Sequence, residues 1–223
     1  MKKTMDSLVS GDRVEITSTD PGFPRDAAAW CSSTGNQLIS KEASGGKSVV
    51  IIEKGEPKAC NIVTSCEDKG KTFIMFSDDL DKALATFVLA NGAAATGQKV
   101  TIFFTFWGLN VIKKLHKPET EKDIFGKMFG MMLPSSSKKL KLSKMSMGGI
   151  GGKMMRYIMN KKGIDSLESL RQQALENGVE FIACQMSMDV MGVKQEELLD
   201  EVTIGGVATY MERADNANVN LFI

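Results

Sequence analysis

The sequence has no run of apolar residues long enough to cross a bilayer, so we expect no membrane-spanning helix. It also lacks an excess of either charge, because 28 lysines and arginines nearly balance 27 aspartates and glutamates. No global field therefore draws the protein to nucleic acid or to an anionic bilayer. The opening segment MKKTMDSLVSGDRVE has no apolar stretch after its lysines, which argues against a secretory signal. These absences predict a cytoplasmic protein that does not bind nucleic acid.

Histidine and cysteine are both scarce. His116 is the single histidine, so a histidine-based catalytic triad is not expected. The cysteines are too few for a disulfide scaffold, and no CxxC pair with a histidine cluster indicates zinc. We therefore predict no metal and no obligatory cofactor. We therefore interpret Cys31, Cys60, Cys66 and Cys184 as free thiols that include a reactive member.

The first part of the chain has the pattern of a small α+β unit. A short helix at 2–9 precedes an alternating strand at 13–19, a helix that Gly35 ends, and two strand-like runs, QLISKEA and KSVVIIEK. The two runs flank Ser44-Gly45-Gly46, which predicts a β-hairpin. Residues 55–71 are polar and aperiodic. We interpret 1–54 as one domain, 55–71 as a linker and 72–223 as a second domain.

From residue 72 onward, apolar runs alternate with helical segments, which is typical of a parallel sheet covered on both faces. An alanine-rich helix follows the first strand, and a crossover helix is predicted at 166–178. The long stretch from about 107 to 160 shows no clear period and is rich in Met, Lys and Gly. Such a stretch is usually a functional loop or a mobile insertion. The predicted strands are 72–77, 99–106, 179–184, 201–204 and 219–223.

In an open parallel sheet, ligands bind beyond the carboxyl ends of the strands. This rule selects four loops, and among their residues only Cys184 is a nucleophile. The other residues would line a pocket and offer backbone donors. The predicted pocket residues are Ser77, Asp78, Trp107, Gly108, Gln185, Met186, Gly205 and Gly206.

Cys184 ends a predicted buried strand and precedes a short helix expected to begin near Ser187. Backbone N–H groups and the positive helix end there would favour the reactive thiolate. The alternative is that Cys184 is a small buried hydrophobe. Cys60 and Cys66 lie six positions apart in the linker and are either relay thiols or incidental exposed cysteines. Cys31 is expected to pack beside Trp30 in the core of the first unit.

Three further patterns leave alternatives open. The methionines between 128 and 159 are interpreted as core packing or subunit contact rather than as a soft-metal site. MGGIGG at 147–152 has no preceding strand and no following GK[ST], so it favours a hinge over a phosphate loop. KKLKLSK at 138–144 is a basic patch that either meets an acidic partner or is a solvated loop.

The segment from about 72 to 215 resembles the DsrE/DsrF-like family, specifically its larger members with a long insertion before the cysteine. The resemblance rests on MFSDDLDKALATFVLANGAAATG, FFTFWGLNVI, SMGGIGGKMM, VEFIACQMSMDVMG and IGGVATY. It implies a flavodoxin-like sheet of five parallel strands with helices on both faces, and assembly into homo-oligomers. The family includes sulfurtransferases that carry sulfur as a cysteine persulfide, and its cysteine falls on Cys184.

Residues 1–54 resemble a TusA/SirA-like domain, through KKTMDSLVSGDRVEITSTDPGFPRDAAAWCSSTGNQLI and the hairpin. That family carries sulfur on a cysteine in a Cys-Pro-x-Pro segment before its first helix. These residues contain no such segment, so we expect a truncated domain that does not transfer sulfur. A piece of a longer fusion protein would explain the truncation.

The leading hypothesis is a sulfur-relay protein, either a sulfurtransferase or a carrier, in which Cys184 takes sulfane sulfur and passes it to an acceptor thiol. The resemblance implies donor and acceptor proteins of TusA-like or rhodanese-like type. A second hypothesis is a non-catalytic oligomeric docking module that binds partners through the Met-rich insertion. A third is a regulatory domain that binds coenzyme A or a nucleotide in the strand-end crevice beside the 138–144 loop.

Overall fold

The structure is a computed structural model, and it describes residues 2–19, 23–44, 47–55, 69–116, 128 and 130–223. The chain forms two compact units, one amino-terminal and one carboxy-terminal. No helix of the described ranges is both long and apolar enough to cross a membrane.

The amino-terminal unit packs two helices on one face of an antiparallel sheet with strand order β1-β3-β2. The central strand β3 alternates buried and half-buried residues because one face lies on the core, where Val50 and Ile52 are fully buried. The predicted hairpin is confirmed by the β2–β3 pairing, and its Gly45-Gly46 turn lies outside the described residues. The elements are α1 Lys2–Asp6, β1 Arg13–Ser18, α2 Phe23–Thr34, β2 Gln37–Ser44 and β3 Lys47–Glu53.

The carboxy-terminal unit contains the predicted sheet of five parallel strands, which confirms the expected fold class. Its strand order is β7-β6-β5-β4-β8. Gly70 and Lys71, which were assigned to the linker, are the first residues of β4. The elements are β4 Gly70–Met75, α3 Leu80–Ala95, β5 Val100–Phe104, α4 Ile150–Lys161, α5 Leu167–Glu176, β6 Glu180–Cys184, α6 Gln185–Met191, β7 Thr203–Gly205, α7 Val207–Asp215 and β8 Ala217–Phe222.

The order of the strands determines which face each helix covers. From β4 to β7 the chain steps in one direction, and α3, α5 and α6 pack with the main core on one face. From β7 the chain returns past three strands to reach β8 beside β4, and α7 lies on the opposite face. Right-handed crossovers require this change of face when the direction reverses. We call these the α3 face and the α7 face.

The excursion between β5 and β6 contains more regular structure than its sequence indicates. The predicted crossover helix is present as α5, and the Ser166 side chain caps it by accepting a bond from the Ser169 N–H at 3.1 Å. A 3₁₀ helix, Phe106–Ile112, follows β5, and α4 precedes α5. Helix α4 was not predicted, and its apolar side chains lie mostly on an exposed face. Residues 117–127 and 129 lie outside the described ranges.

Candidate functional site

Four predicted loops meet at the carboxyl edge of the parallel sheet. Parallel pairing aligns Met75 with Phe104, Phe104 with Ala183, and Cys184 with Gly205. The residues that follow β4 and β5 therefore lie at the same edge as Cys184. The expectation that Ser77, Trp107, Cys184 and Gly205 line one edge of a single sheet agrees with this register.

Cys184 is the last residue of β6 and is only 2% exposed. Its side chain lies on the α7 face, where it packs with Phe103, Ile182 and Tyr210. The predicted helix begins directly after it at Gln185, two residues earlier than expected. Cys184 is thus the residue before the first turn of α6, although its thiol makes no capping hydrogen bond there.

The first turn of α7 also lies on the side of the thiol, because Tyr210 is in contact with the Cys184 cluster. Gly205 permits the start of α7 to pack closely against β6. A Cβ at Gly205 would lie 2.8 Å from Cγ2 of Ile182 and 3.3 Å from Cβ of Thr209, which is closer than packed carbon atoms tolerate. The positive end of α7, which begins after Gly206, is therefore a second source of partial positive charge near Cys184.

The loop after β5 is held in place by close backbone contacts. Phe106 has φ of 47°, a left-handed conformation that is uncommon for a residue with a side chain. Gly108 donates its N–H to the carbonyl of Phe76 at 2.8 Å, and a Cβ there would overlap the carbonyl oxygen of Met75. Gly108 was predicted as a pocket residue, and the structure shows it buried in a backbone contact. Trp107 next to it is 43% exposed.

A buried pair of hydroxyl groups joins β5 to α6. The Oγ1 of Thr105 and the Oγ of Ser187 are 2.8 Å apart, and both residues are buried. Thr105 follows the last residue of β5, and Ser187 lies in the first turn of the helix that follows Cys184. This bond fixes the start of α6 relative to the neighbouring strand. The sequence does not reveal it, because the two residues are 82 positions apart.

The loop after β4 presents two carboxylates with different surroundings. Asp79 accepts a bond from Ser77 at 2.8 Å and pairs with Lys82 at 2.8 Å. Asp78 accepts a bond from Nδ2 of Asn110 at 2.9 Å, and its burial raises its pKa although this bond opposes the shift. Asn110 is fully buried, and its Oδ1 has no partner among the described residues.

A cleft of about 620 Å³ opens beside these loops and brings together two of the predicted pocket residues, Asp78 and Trp107. Its lining does not include Cys184. Leu133 and Leu142 of the lining pack with the core of the α3 face, whereas Cys184 packs on the α7 face. The full lining is Asp78, Asp79, Trp107, Gly130, Met131, Met132, Leu133, Pro134, Ser135, Lys139, Lys141, Leu142 and Ser146.

The other predicted residues lie elsewhere. Gln185 lines a separate cleft of about 370 Å³ and donates to Asp189 at 2.9 Å, and Met186 is 54% exposed. Cys60 and Cys66 lie outside the described residues. Cys31 is buried beside Trp30 as expected. The described part of the chain contains no cluster of three or more His, Cys, Asp or Glu side chains that could hold a metal ion.

Comparison with known proteins identifies the family of this fold. The model of the DsrE/DsrF/DrsH-like family matches residues 67–222, which span the whole parallel sheet. The protein belongs to the DsrE/DsrF/DrsH-like family. A second model, described as Sulfurtransferase TusA, matches residues 1–54. Both resemblances inferred from the sequence motifs are therefore confirmed.

Three known proteins are similar in sequence to parts of this DsrE-like chain. The uncharacterized protein YrkE of Bacillus subtilis is 44% identical over 157 residues, which cover 70% of this chain and 98% of YrkE. The sulfur carrier protein DsrE2 of Allochromatium vinosum is 37% identical over 161 residues, covering 70% of this chain and 99% of DsrE2. The sulfur carrier protein TusA of the same organism is 38% identical over 53 residues, covering 24% of this chain and 70% of TusA.

Proposed function

We propose that this protein is a sulfur-relay protein that carries sulfane sulfur as a persulfide on Cys184 and passes it to an acceptor thiol. The position of Cys184 supports this most directly. It ends a central strand at the carboxyl edge of the sheet, within the segment that matches the DsrE/DsrF/DrsH-like family. Relatives that match this segment and the amino-terminal unit are named sulfur carriers, which agrees with the same chemistry.

The proposed reaction is thiol exchange and requires no cofactor. The thiolate of Cys184 attacks the outer sulfur of a donor persulfide, a new S–S bond forms on Cys184, and the donor leaves as a thiolate. An acceptor thiolate then attacks the outer sulfur, and Cys184 leaves as a thiolate. The positive ends of α6 and α7 would stabilise the negative charge in both steps.

Burial of Cys184 constrains how a partner reaches it. Cys184 packs with Ile182 and Tyr210 and is 2% exposed, so we infer that this contact opens when a partner reaches the thiol. Once loaded, the outer sulfur extends about 2 Å beyond Sγ, which is the length of an S–S bond. The outer sulfur therefore needs room beside Ile182 and Tyr210, which the same opening would provide.

We assign residues 1–54 to a TusA-like domain, 55–71 to a linker and 72–223 to the DsrE-like domain. In the amino-terminal unit, the described cysteine is Cys31, which packs in the core. Burial raises the pKa of the Cys31 thiol, which lowers the fraction of reactive thiolate near neutral pH. We therefore propose that this unit recognises a partner and that Cys31 does not carry sulfur.

The donors and acceptors are proposed to be TusA-like or rhodanese-like proteins, since a relative that matches the first unit is the sulfur carrier TusA. We place the relay in the cytoplasm, where thiols stay reduced. A role for Cys60 and Cys66 as additional relay thiols is part of the same proposal.

We further propose that the protein forms homo-oligomers. Helix α4 carries a stripe of apolar side chains that are 39–67% exposed, at Ile150, Met154, Tyr157 and Ile158. Such a patch usually marks an interaction surface. Residues 124–164 include eight lysines, one arginine and no acidic residue, whereas 165–223 include eleven acidic residues and three basic ones. A second copy of the chain therefore offers residues of complementary charge. Light scattering at micromolar concentration tests this, and a monomer would contradict it.

Mass spectrometry after polysulfide treatment tests the role of Cys184. We expect sulfur-sized mass increments that Cys184→Ser abolishes. The matched control Cys31→Ser should retain loading, because Cys31 is buried in the other unit. The double variant Cys60→Ser, Cys66→Ser should retain most of the loading as well. Loading that survives loss of Cys184 and disappears with the linker pair would contradict the assignment, and would favour the docking module in which Cys184 is only a core residue.

A further inference from the structure

Helix α7 packs against Cys184 on one face of the sheet. Cys184 lies in a small cluster with Tyr210 of α7 and with Phe103 and Ile182 of the sheet. Tyr210 is 9% exposed, and the centroid of its ring lies 5.2 Å from that of Phe103. Phe103 and Ile182 are paired residues of the interior strands β5 and β6, so the ladder fixes their positions. Access to the thiol from this face therefore depends on whether α7 stays in place.

Helix α7 is held by few buried side chains. Of its nine residues, all of which the structure describes, Tyr210 is the buried one, whereas Val207 and Met211 are 64% and 48% exposed. Helix α3 on the other face buries six of its residues. The strand that leads into α7, β7, has three residues and lies at the edge of the sheet. Because segments with few buried apolar contacts open locally before the core does, we expect α7 to open while the sheet stays folded.

Arg213 and Tyr210 attach α7 to the sheet by polar contacts. Arg213 donates from Nε and Nη2 to the two carboxylate oxygens of Glu180 at 2.9 and 3.1 Å, which makes the pair bidentate. The hydroxyl of Tyr210 lies 3.3 Å from Oγ1 of Thr72. The side chains of Arg213 and Glu180 are 38% and 34% exposed, so water and salt weaken their attraction. These contacts orient α7 without fixing it permanently.

The geometry points to α7 as a lid over Cys184, which opens locally and whose contacts through Tyr210 and the Arg213–Glu180 pair set the fraction of molecules with an exposed thiol. The opening follows from the burial and contacts of α7. Its role in sulfur transfer rests on the function proposed above, because a persulfide donor would then reach Cys184 in the open state. The rate of persulfide loading should therefore follow the open fraction.

The Arg213–Glu180 pair is too far from the thiol to act on it directly. Glu180 begins β6 and Cys184 ends it, so the two are separated by roughly 13 Å at about 3.3 Å per residue. This distance exceeds the Debye length of about 8 Å at physiological ionic strength. Removal of the Arg213 charge should therefore change the reactivity of Cys184 through α7 rather than through the charge of the thiolate.

Labelling of Cys184 by iodoacetamide, a small uncharged reagent, measures the open fraction. The full chain carries Cys60→Ser and Cys66→Ser, and peptide mass spectrometry distinguishes Cys184 from Cys31. Tyr210→Ala should raise the labelling rate of Cys184 by about tenfold or more, because it removes the buried side chain that holds α7. Tyr210→Phe keeps the ring and should raise the rate much less.

A second variant tests the ion pair without a change in packing. Arg213→Gln should raise the labelling rate of Cys184 roughly twofold to fivefold, which is the range that exposed ion pairs give. The matched control is Lys114→Gln, which removes the 2.7 Å pair with Asp200 outside α7 and should leave the rate unchanged. The pH profile of the Arg213→Gln rate should keep the wild-type midpoint, because the surroundings of the thiol are the same.

Urea distinguishes local opening from global unfolding. The labelling rate of Cys184 in the protein with an intact α7 should rise with urea much less steeply than global unfolding predicts, since opening of one helix exposes little surface. Hydrogen exchange should be faster for the amides of α7 than for those of α3. A urea dependence equal to that of global unfolding overturns the lid, and so do labelling rates that Tyr210→Ala and Arg213→Gln both leave unchanged.

Polysulfide loading of the same variants separates the lid from the proposed function. We expect the loading rate of Cys184 to rise in the order of the labelling rates. Labelling that depends on α7 without any persulfide on Cys184 supports the lid and refutes the relay. Loading of Cys184 at a rate that ignores the α7 variants supports the relay and refutes the lid.

Discussion

Substitution of Gly108 by alanine should destabilise the carboxy-terminal unit. The new Cβ would overlap the carbonyl oxygen of Met75 and lie 2.7 Å from its carbonyl carbon. Because both atoms are backbone of β4, the loop after β5 must move away from the sheet. Such overpacking costs about 1–3 kcal/mol. The movement also lengthens the 2.8 Å bond from the Gly108 N–H to Phe76, which adds about 1 kcal/mol.

The expected loss is therefore about 2–4 kcal/mol of the free energy of unfolding, a large part of a typical total of about 5–15 kcal/mol. Urea denaturation followed by far-UV circular dichroism measures it. The matched control is Gly92→Ala in α3, where a Cβ meets no atom within 4 Å. The free energy of unfolding of the control should rise by up to about 1 kcal/mol, because alanine favours the helical conformation more than glycine does. A Gly108→Ala protein as stable as wild type would refute the inference that this backbone contact positions Trp107.

Three further predictions concern other described contacts. Thr105→Val and Ser187→Ala should show a coupling of about 1 kcal/mol in a double-mutant cycle measured by urea denaturation, and additive effects would contradict a direct bond. The bond from Arg213 lowers the pKa of Glu180, so this pair stabilises the fold above the unfolded pKa and loses its effect as acid protonates Glu180. Arg213→Gln should thus destabilise at pH 7 and converge with wild type in acid; a constant difference would contradict this. Burial raises the pKa of Asp78, so the ionised carboxylate opposes folding. Asp78→Asn should therefore stabilise the protein at pH 7 but not in acid, and equilibrium unfolding at both pH values measures this.

The parallel sheet was predictable because its signal is local. The interior strands β5 and β6 are apolar runs next to helical segments, and parallel strands have their carboxyl ends at one edge. This rule alone predicts that Trp107, Cys184 and Gly205 lie at one edge of the sheet, and the register agrees with it. Helix α4 was missed although its apolar residues recur at helical spacing, because the Met-, Lys- and Gly-rich stretch around it was interpreted as a loop.

The contacts within the site were not predictable, because they join residues far apart in the chain. Asn110 meets Asp78 across 32 positions, and Thr105 meets Ser187 across 82. Neither pair has a local pattern that distinguishes it from ordinary polar residues. The packing of Gly108 was likewise not predictable, since its need for glycine arises from the backbone of a neighbouring strand.

The sequence by itself determined the order and direction of the elements, and hence that Cys184 lies at the carboxyl edge of a parallel sheet. Local patterning is sufficient for this, because hydrophobic period and capping residues specify helices and strands along the chain. Only the tertiary structure decided on which face the thiol lies. The return of the chain to β8 puts α7 over Cys184, whereas the excursion builds the cleft of Asp78 and Trp107 beside the core of the α3 face. That separation depends on the packing of segments that are distant in sequence, which no local pattern specifies.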